Sequence, residues 1–315
     1  MADHPDTRIE QAYRDQRSRL WGLAYRMTGT PSEADDVLQE TFTRAIANPP
    51  SDRERELGPW LMRVAVNLAI DRLRKRKLAK YVGPWLPGPV ETSTMDPELD
   101  PAQRFANLET ITAAFLRALE LLSPKQRAVL ILSQVLEYSG REVSQLLDIS
   151  EPDVRTSLSR ARRLLAGAPC QPPSAILADA HRAALQKFLA ALSAGSPEGL
   201  MALFVPEARG STDGGGQYRA ALKEIVGAER LTKFWLGLRN KLAANFAVEE
   251  RELNGLPALV VSITYDTPDP RRAPKLVIQL EVDETDPSRI SELHLVSADA
   301  KLRGIGATRA DTHGK

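Results

Sequence analysis

The sequence predicts a multidomain protein: two all-α domains, the second a helix-turn-helix, and then an α+β domain whose sheet curves around a pocket. Three observations predict it. Residues 1–80 and 106–168 read as successive helices opened by recognisable start signals. Proline-rich stretches at 81–105 and 167–174 interrupt the chain twice. Beyond the second break, helices give way to long strand-like runs separated by turn residues. At 315 residues two or three domains are expected. The boundaries fall at 8–80 for the first domain, 81–105 for a Pro-rich linker, 106–168 for the helix-turn-helix domain and 174–315 for the last.

In the first domain Leu20, Leu23, Ala24 and Met27 repeat at the spacing of a half-buried helix. "TPSEADDVLQETFTRAI" opens with Thr30 as N-cap, Pro31 in the first turn and Glu33 closing a capping box. Its apolar face is Ala34, Val37, Leu38, Phe42, Ala45 and Ile46, and "NPP" at 48–50 stops it. A third helix runs from about Pro59 to Leu78, buried through Leu61, Val64, Ala65, Leu68 and Leu73.

The linker carries Pro84, Pro87, Pro89, Pro97 and Pro101, which rule out a helix. Helices resume at about 106. The boxes Ser123–Gln126 and Ser139–Glu142, and the pair Ser150 and Asp153, mark three helix starts. In the last domain two helices, at about 174–194 and 197–204, precede a turn-rich "STDGGGQYRAA". A helix in "GAERLTKFWLGLRNKL" then leads to the strands "NFAVEEREL", "PALVVSITYD", "KLVIQLEVDE" and "RISELHLVSA". "NG" at 254–255 and "DPSR" at 286–289 are their hairpin turns.

Bulk composition is that of an ordinary protein with real cores, 43% hydrophobic and 26% charged. No run of about 18 apolar residues exists, and the charged N-terminus lacks a signal-peptide core, so a cytoplasmic protein without a membrane partner is expected. The single Cys170 excludes an internal disulfide, and His4, His181, His294 and His313 stand too far apart for a local metal motif.

The net charge of +1 conceals an uneven distribution. Residues 71–80 carry six Lys/Arg against one Asp, and 154–163 carry Arg155, Arg160, Arg162 and Arg163 with no acid. "EADDVLQE" at 33–40 holds four carboxylates and no base. Two basic helices and one acidic helix suit separate contacts to DNA and to a protein, and they equally suit solvated helix faces.

Ser139 to Leu165 has the layout of a helix-turn-helix, with Val154, Leu158, Ala161 and Leu165 lining the buried side of its second helix. Asp153, Thr156, Ser159, Arg160 and Arg163 face elsewhere, where they can reach base edges and phosphates; the alternative is a plain helical hairpin. Arg63, Asn67, Asp71 and Arg74, spaced 4, 4 and 3, form one polar ridge suited to base and backbone contacts. Trp60 beside it reads as a contact residue or as core.

"LAYRMTGTPSEADDVLQETFTRA", "WLMRVAVNLAIDRLR" and "LSPKQRAVLILSQVLEYSGREVSQLLDISEPDVRTSLSRARRLL" resemble, in order and spacing, the bacterial extracytoplasmic-function sigma factors over residues 10 to 167. The resemblance implies two partners, core RNA polymerase and promoter DNA. Asp35, Asp36, Gln39, Glu40 and Phe42 would dock on the polymerase clamp helices. Trp60, Arg63, Asn67, Asp71, Arg72, Arg74 and Lys75 would recognise and open the minus-ten element. Ser150, Asp153, Arg155, Thr156, Ser159, Arg160 and Arg163 would read the minus-thirty-five element.

"FLAALSAGSPEGLMALFVPEARGSTDGGGQYRAA" and the following "EIVGAERLTKFWLGL" resemble the SnoaL-like cone fused to one large group of these factors. That group has a "WLP"-type linker motif and an Asp-Gly-rich motif, here "GPWLPGPV" and Asp213, Gly214, Gly215 and Gly216. Gly88 stands where an acidic residue is common and Gln217 where Lys is common.

Tyr81, Trp85, Leu86 and Pro87 would anchor the strap on another domain, with the prolines lowering the entropy lost on docking. Alternatively, Trp85 caps its own three-helix domain. The whole implies a transcription initiation factor without catalytic residues, metal or cofactor, modulated by its own C-terminal domain, with a small-molecule effector in the cone. The rival readings are a cyclase or hydrolase using Asp213, His181, Tyr218 and His294, and a simple helix-turn-helix regulator. No paired acid and base, Walker loop or nucleophile elbow supports an enzyme.

Overall fold

The computed structural model describes residues 5–50, 56–79, 81–92, 110–166, 175–241, 245–267 and 269–306. The expected linker segments 93–105 and 167–174, and the start of the second domain at 106–109, lie outside the described residues. The chain forms two compact units, Met1–Lys80 with Glu98–Gln171, and Tyr81–Pro97 with Pro172–Lys315.

The first unit is all helix. α1 (Pro5–Thr28), α2 (Pro31–Ala47) and α3 (Leu57–Leu78) pack mutually. Leu20, Leu23, Ala24 and Met27 are fully buried at the predicted spacing. The capping box expected at Thr30 does not form. The Thr30 hydroxyl donates to the Glu33 carboxylate at 2.9 Å instead of accepting from the helix backbone. Arg76, 3.9 Å from Glu33, competes for the same carboxylate.

Two apolar assignments also shift. Ile46, in the last turn of α2, is 64% exposed. On α3, Val64 and Leu68 are only half-buried, while Met62, Val66, Ala69 and Ile70 fill the core. Neighbours on two sides widen the buried stripe beyond the narrow one read from the sequence.

α4 (Ala113–Ala118), α5 (Pro124–Leu130, extended by a wide turn over Ile131–Val135), α6 (Gly140–Leu147) and α7 (Glu151–Leu165) complete this unit. Ser123 and Ser139 both close reciprocal capping boxes, with Gln126 and Glu142. Asp148 ends α6 in the left-handed region (φ 54°), a conformation Asp tolerates, and two residues later Ser150 caps α7.

The second unit lays α8 (Ala175–Ala194), α9 (Pro197–Leu203) and α10 (Ala228–Lys241) on one face of a six-stranded sheet. The strands are β1 (Phe204–Asp213), β2 (Ile225–Val226), β3 (Asn245–Leu253), β4 (Leu256–Thr264), β5 (Lys275–Val282) and β6 (Ile290–Val296), in the order β2-β1-β6-β5-β4-β3. β1 runs parallel to β6 and every other pair is antiparallel. Asn254 and Gly255 take φ of 54° and 80° and turn β3 into β4, as the dipeptide predicts.

Period-two alternation divides the sheet. Leu276, Ile278, Leu280 and Val282 meet the helices, while Val277 faces the opposite side with Ala258, Val260 and Val296. β1 replaces part of the expected turn-rich segment: Ser211, Thr212 and Asp213 are strand, paired with His294, Leu295 and Val296. Strand pairing and specific hydrogen bonds accommodate these polar residues where local propensity favoured a turn. A short helix, α11 (Asp299–Leu302), was not foreseen.

Candidate functional site

On α2 the five acidic-helix candidates divide between two surfaces. Asp35, Gln39 and Phe42 line a groove of about 630 Å³ together with Tyr13 and Ile46. Phe42 is turned inward, 7% exposed and edge-to-face on Tyr13 at 4.9 Å, so it floors the groove rather than projecting from it. Asp35 accepts from the Trp21 indole N–H at 2.7 Å. Asp36 pairs with Arg72 of α3 at 3.2 Å, and Glu40 with Arg44 at 2.8 Å.

The ridge of α3 is solvent-facing throughout: Arg63, Asn67, Asp71 and Arg74 are exposed, and Trp60 beside them is half-buried. Among the described residues, Lys75, which is exposed, has no ion-pair partner, and Arg74 pairs with its neighbour Asp71 at 3.2 Å. Farther along the basic run, Arg76 turns into the unit. Its guanidinium donates to the Thr28 carbonyl and to Glu120, both at 2.6 Å. Arg127, 2% exposed, meets the same Glu120 oxygen at 2.6 Å and donates to the Met27 carbonyl at 2.7 Å and the Leu119 carbonyl at 3.1 Å. Burial lowers the Arg127 pKa from its usual value, and Glu120 opposes the shift by charge and hydrogen bonding. Two arginines sharing one carboxylate thus tie α1 and α3 to the stretch from Leu119 to α5 that precedes the helix-turn-helix.

On α7, Val154 and Ala161 are buried and Leu158 and Leu165 half-buried. Ser150, Asp153, Arg155, Thr156, Ser159, Arg160 and Arg163 are all exposed, a polar face directed to solvent. The Ser150 hydroxyl accepts from the Asp153 N–H at 3.2 Å.

In the second unit the strap, residues 81–92, crosses the sheet face opposite the helices. Leu86 is 2% exposed among Leu253, Ala258, Val260, Val277, Val296, Leu302 and Ile305, and Pro87 is buried beside it. At its far end Val90 exchanges hydrogen bonds with Asn254, at 3.0 and 3.1 Å, and Glu91 pairs with Arg251 at 2.7 Å.

Its near end is fastened by Asp213. That carboxylate, 1% exposed, accepts from the Tyr81 hydroxyl at 2.6 Å, the Leu86 N–H at 2.8 Å and the Gly215 N–H at 2.9 Å. It also pairs with Lys301 Nζ at 2.5 Å. Lys301 donates to the Leu86 carbonyl as well, and its ammonium lies 4.9 Å from the Tyr81 ring centre and 4.5 Å from that of Trp85.

The glycines after Asp213 have specific reasons. A Cβ on Gly214 would sit 2.5 Å from the Tyr218 carbonyl oxygen, and Gly215 takes φ 62° against Ala298. Lys301 was absent from the sequence-derived site. A lone Lys in "ADAKL" carries no local pattern, and only the closed tertiary fold brings it to Asp213.

The four residues of the enzyme reading do not converge. Asp213 is engaged with the strap. Tyr218 donates to Asp299 at 3.0 Å, His181 lies 3.3 Å from Glu281, and His294 lies 3.2 Å from Glu292. None of the four lines either of two cavities, of about 370 and 460 Å³, beside α10. Among the described residues there is no group of three or more His, Cys, Asp or Glu able to hold a metal ion, and no helix long and apolar enough to cross a membrane.

Residues 12–78 match the family described as Sigma-70 region 2, and residues 112–165 match Sigma-70, region 4. The ECF RNA polymerase sigma factor SigJ of Mycobacterium tuberculosis is 31% identical over 227 residues, 70% of this chain and 70% of that protein. SigW of Bacillus subtilis is 34% identical over 163 residues, 50% of this chain and 84% of its own length. The crystal structure of Mycobacterium tuberculosis SigJ superposes with a TM-score of 0.69 at 24% identity, covering 93% of this chain and 98% of the other, and shares its fold.

Proposed function

This chain belongs to the bacterial extracytoplasmic-function RNA polymerase sigma factors, and on that premise we propose how its parts divide the work. It binds core RNA polymerase and directs promoter-specific initiation of transcription. The family is non-enzymatic.

The α2 groove and its acidic rim, with Asp35, Asp36, Gln39 and Glu40 outward and Phe42 beneath, dock on the polymerase. The exposed α3 ridge, with Trp60, Arg63, Asn67, Asp71, Arg72, Arg74 and Lys75, reads and opens the minus-ten element. The outward face of α7, from Ser150 to Arg163, reads the minus-thirty-five element, with its arginines on phosphates and base edges. Residues 8–80 and 106–168 are the two sigma domains, and 174–315 the regulatory one. The protein acts in the cytoplasm, where its polymerase and promoter are.

The C-terminal SnoaL-like domain modulates this activity without catalysis. The observation that carries this reading is the strap. The segment that follows the basic helix α3 is fixed to the C-terminal domain by Asp213, Lys301 and an apolar seat for Leu86. A small-molecule effector in the cone that favours one arrangement of the Asp213 loop shifts the population of strapped molecules. The catalytic alternative loses support because Asp213, His181, Tyr218 and His294 line neither cone cavity. The test is reconstituted transcription with core polymerase, comparing wild type with Trp85→Ala and Lys301→Met. Changed promoter output with polymerase binding retained supports regulation by the strap; unchanged output from both variants contradicts it.

A further inference from the structure

The cavity of about 460 Å³ in the C-terminal domain has an uneven lining. Phe234, Leu238, Leu276 and Leu295 give it apolar walls, while Arg219, Lys241, Arg271 and Arg272 contribute four cations, and among the described residues no carboxylate lines it. Leu238 and Leu276 also line the neighbouring cavity of about 370 Å³, whose walls include Phe188, Trp235, Val261 and Ile278. The two spaces therefore share an apolar partition.

Among the described residues, the acid paired with these cations is Asp269. Asp269 pairs with Arg219 at 3.1 Å and lies 3.9 Å from both Arg271 and Arg272. Its own pKa is held below the usual carboxylate range by the Arg271 N–H, with added help from these three guanidinium groups. Lys241 has no ion-pair partner among the described residues. Four cations against one carboxylate leave an excess of three positive charges around an apolar hollow. A neutral apolar ligand would use the walls and leave this field unanswered. An organic cation would be repelled. A ligand with an apolar body and an anionic head answers both halves of the lining.

We propose that this cavity binds an amphipathic carboxylate, with its chain against Phe234, Leu238, Leu276 and Leu295 and its head among Lys241, Arg271, Arg272 and Arg219. The proposal rests on the effector reading above and gives that effector a chemical class. A path to the strap is present in β1. Thr212 lines the cavity and accepts from the Ala221 N–H at 2.6 Å, while its neighbour Asp213 holds the strap. Ser297 also lines the cavity, and its N–H donates to the Asp213 carbonyl at 2.8 Å. A ligand that displaces Ser297 or the 219–221 loop therefore acts on backbone joined directly to Asp213.

Titration calorimetry on the full chain tests the site, with decanoate as probe, decanol as its neutral counterpart, and the double variant Lys241→Glu with Arg271→Glu. Both substitutions fall on exposed residues, and near-ultraviolet circular dichroism checks that the fold is kept. Decanoate is expected to bind wild type roughly tenfold more tightly than decanol does, and to lose roughly tenfold in the double variant. Equal binding of acid and alcohol, wild-type affinity in the double variant, or no binding of decanoate overturns the proposal. Reconstituted transcription with and without decanoate separates the two layers. Charge-dependent binding that leaves promoter output unchanged upholds the site and overturns the effector reading. A transcriptional response matched by decanol upholds an effector and overturns the carboxylate class.

Discussion

The Asp213 carboxylate and the Lys301 ammonium lie 2.5 Å apart with 1% and 4% of their surfaces exposed, and both also bond the strap residue Leu86. Two buried opposite charges that also hydrogen-bond a third segment, the strap, act as a clasp. The pair is secure only while both partners and the strap are in place.

Removing one partner therefore damages more than one contact. Lys301→Met or Asp213→Leu leaves an uncompensated buried charge and is expected to destabilise the C-terminal domain by about 3–5 kcal/mol. The double variant Asp213→Leu with Lys301→Met is expected to recover much of that loss, because no charge then remains buried. Thermal unfolding checks the stabilities, and hydrogen exchange at the Leu86 amide reports the strap. Single and double variants of equal stability would show that the pair is not coupled.

A second expectation concerns the other shared carboxylate. Glu120 serves both Arg76 and the buried Arg127 within the first unit. Glu120→Ala is expected to destabilise this unit by about 3 kcal/mol or more, since Arg127 remains buried without its counter-ion. Urea unfolding followed by circular dichroism measures it. A loss within the range of an exposed surface pair, about 1 kcal/mol or less, would contradict the expectation.

Much of the first unit was legible because its helix starts are local chemistry. Ser123 with Gln126 and Ser139 with Glu142 need only their own four residues, and both boxes form. Thr30 with Glu33 has the same pattern but not the same outcome: the Thr30 hydroxyl donates to the Glu33 carboxylate, which also faces Arg76, 43 residues away, at 3.9 Å. β1 was partly hidden since Ser211, Thr212 and Asp213 favour turns until a sheet neighbour pairs them. The motif residues of the strap and of "DGGG" were visible in the sequence. Lys301, which completes their contact, was not, because nothing near it in the chain anticipates Asp213.

Asp36→Arg reverses charge on α2, the helix proposed to dock on the polymerase, and places an arginine against Arg72, its present partner at 3.2 Å. Core polymerase is expected to bind this variant more weakly, while circular dichroism stays unchanged because Asp36 is exposed. Fluorescence anisotropy with labelled protein measures the affinity, and wild-type binding would remove α2 from the docking surface.

The two helices proposed to contact DNA, α3 and α7, are expected to fail differently. Arg160→Ala or Arg163→Ala weakens promoter binding by about 1–3 kcal/mol where a base contact is lost. Asn67→Ala and Asp71→Ala leave closed-complex binding largely intact and impair strand opening. Permanganate footprinting distinguishes them, and unchanged melting in both ridge variants would exclude that role for α3.

Promoter output of the reconstituted holoenzyme, measured for wild type, Trp85→Ala and Lys301→Met at saturating core polymerase, tests most directly whether the C-terminal domain governs the factor through its strap. Trp85 stacks on the Lys301 ammonium at 4.5 Å, so the two substitutions open the same clasp from opposite sides. Both variants are expected to depart from wild-type output in the same direction. Output equal to wild type from both, with the Leu86 amide shown by hydrogen exchange to be released, would contradict control through the strap.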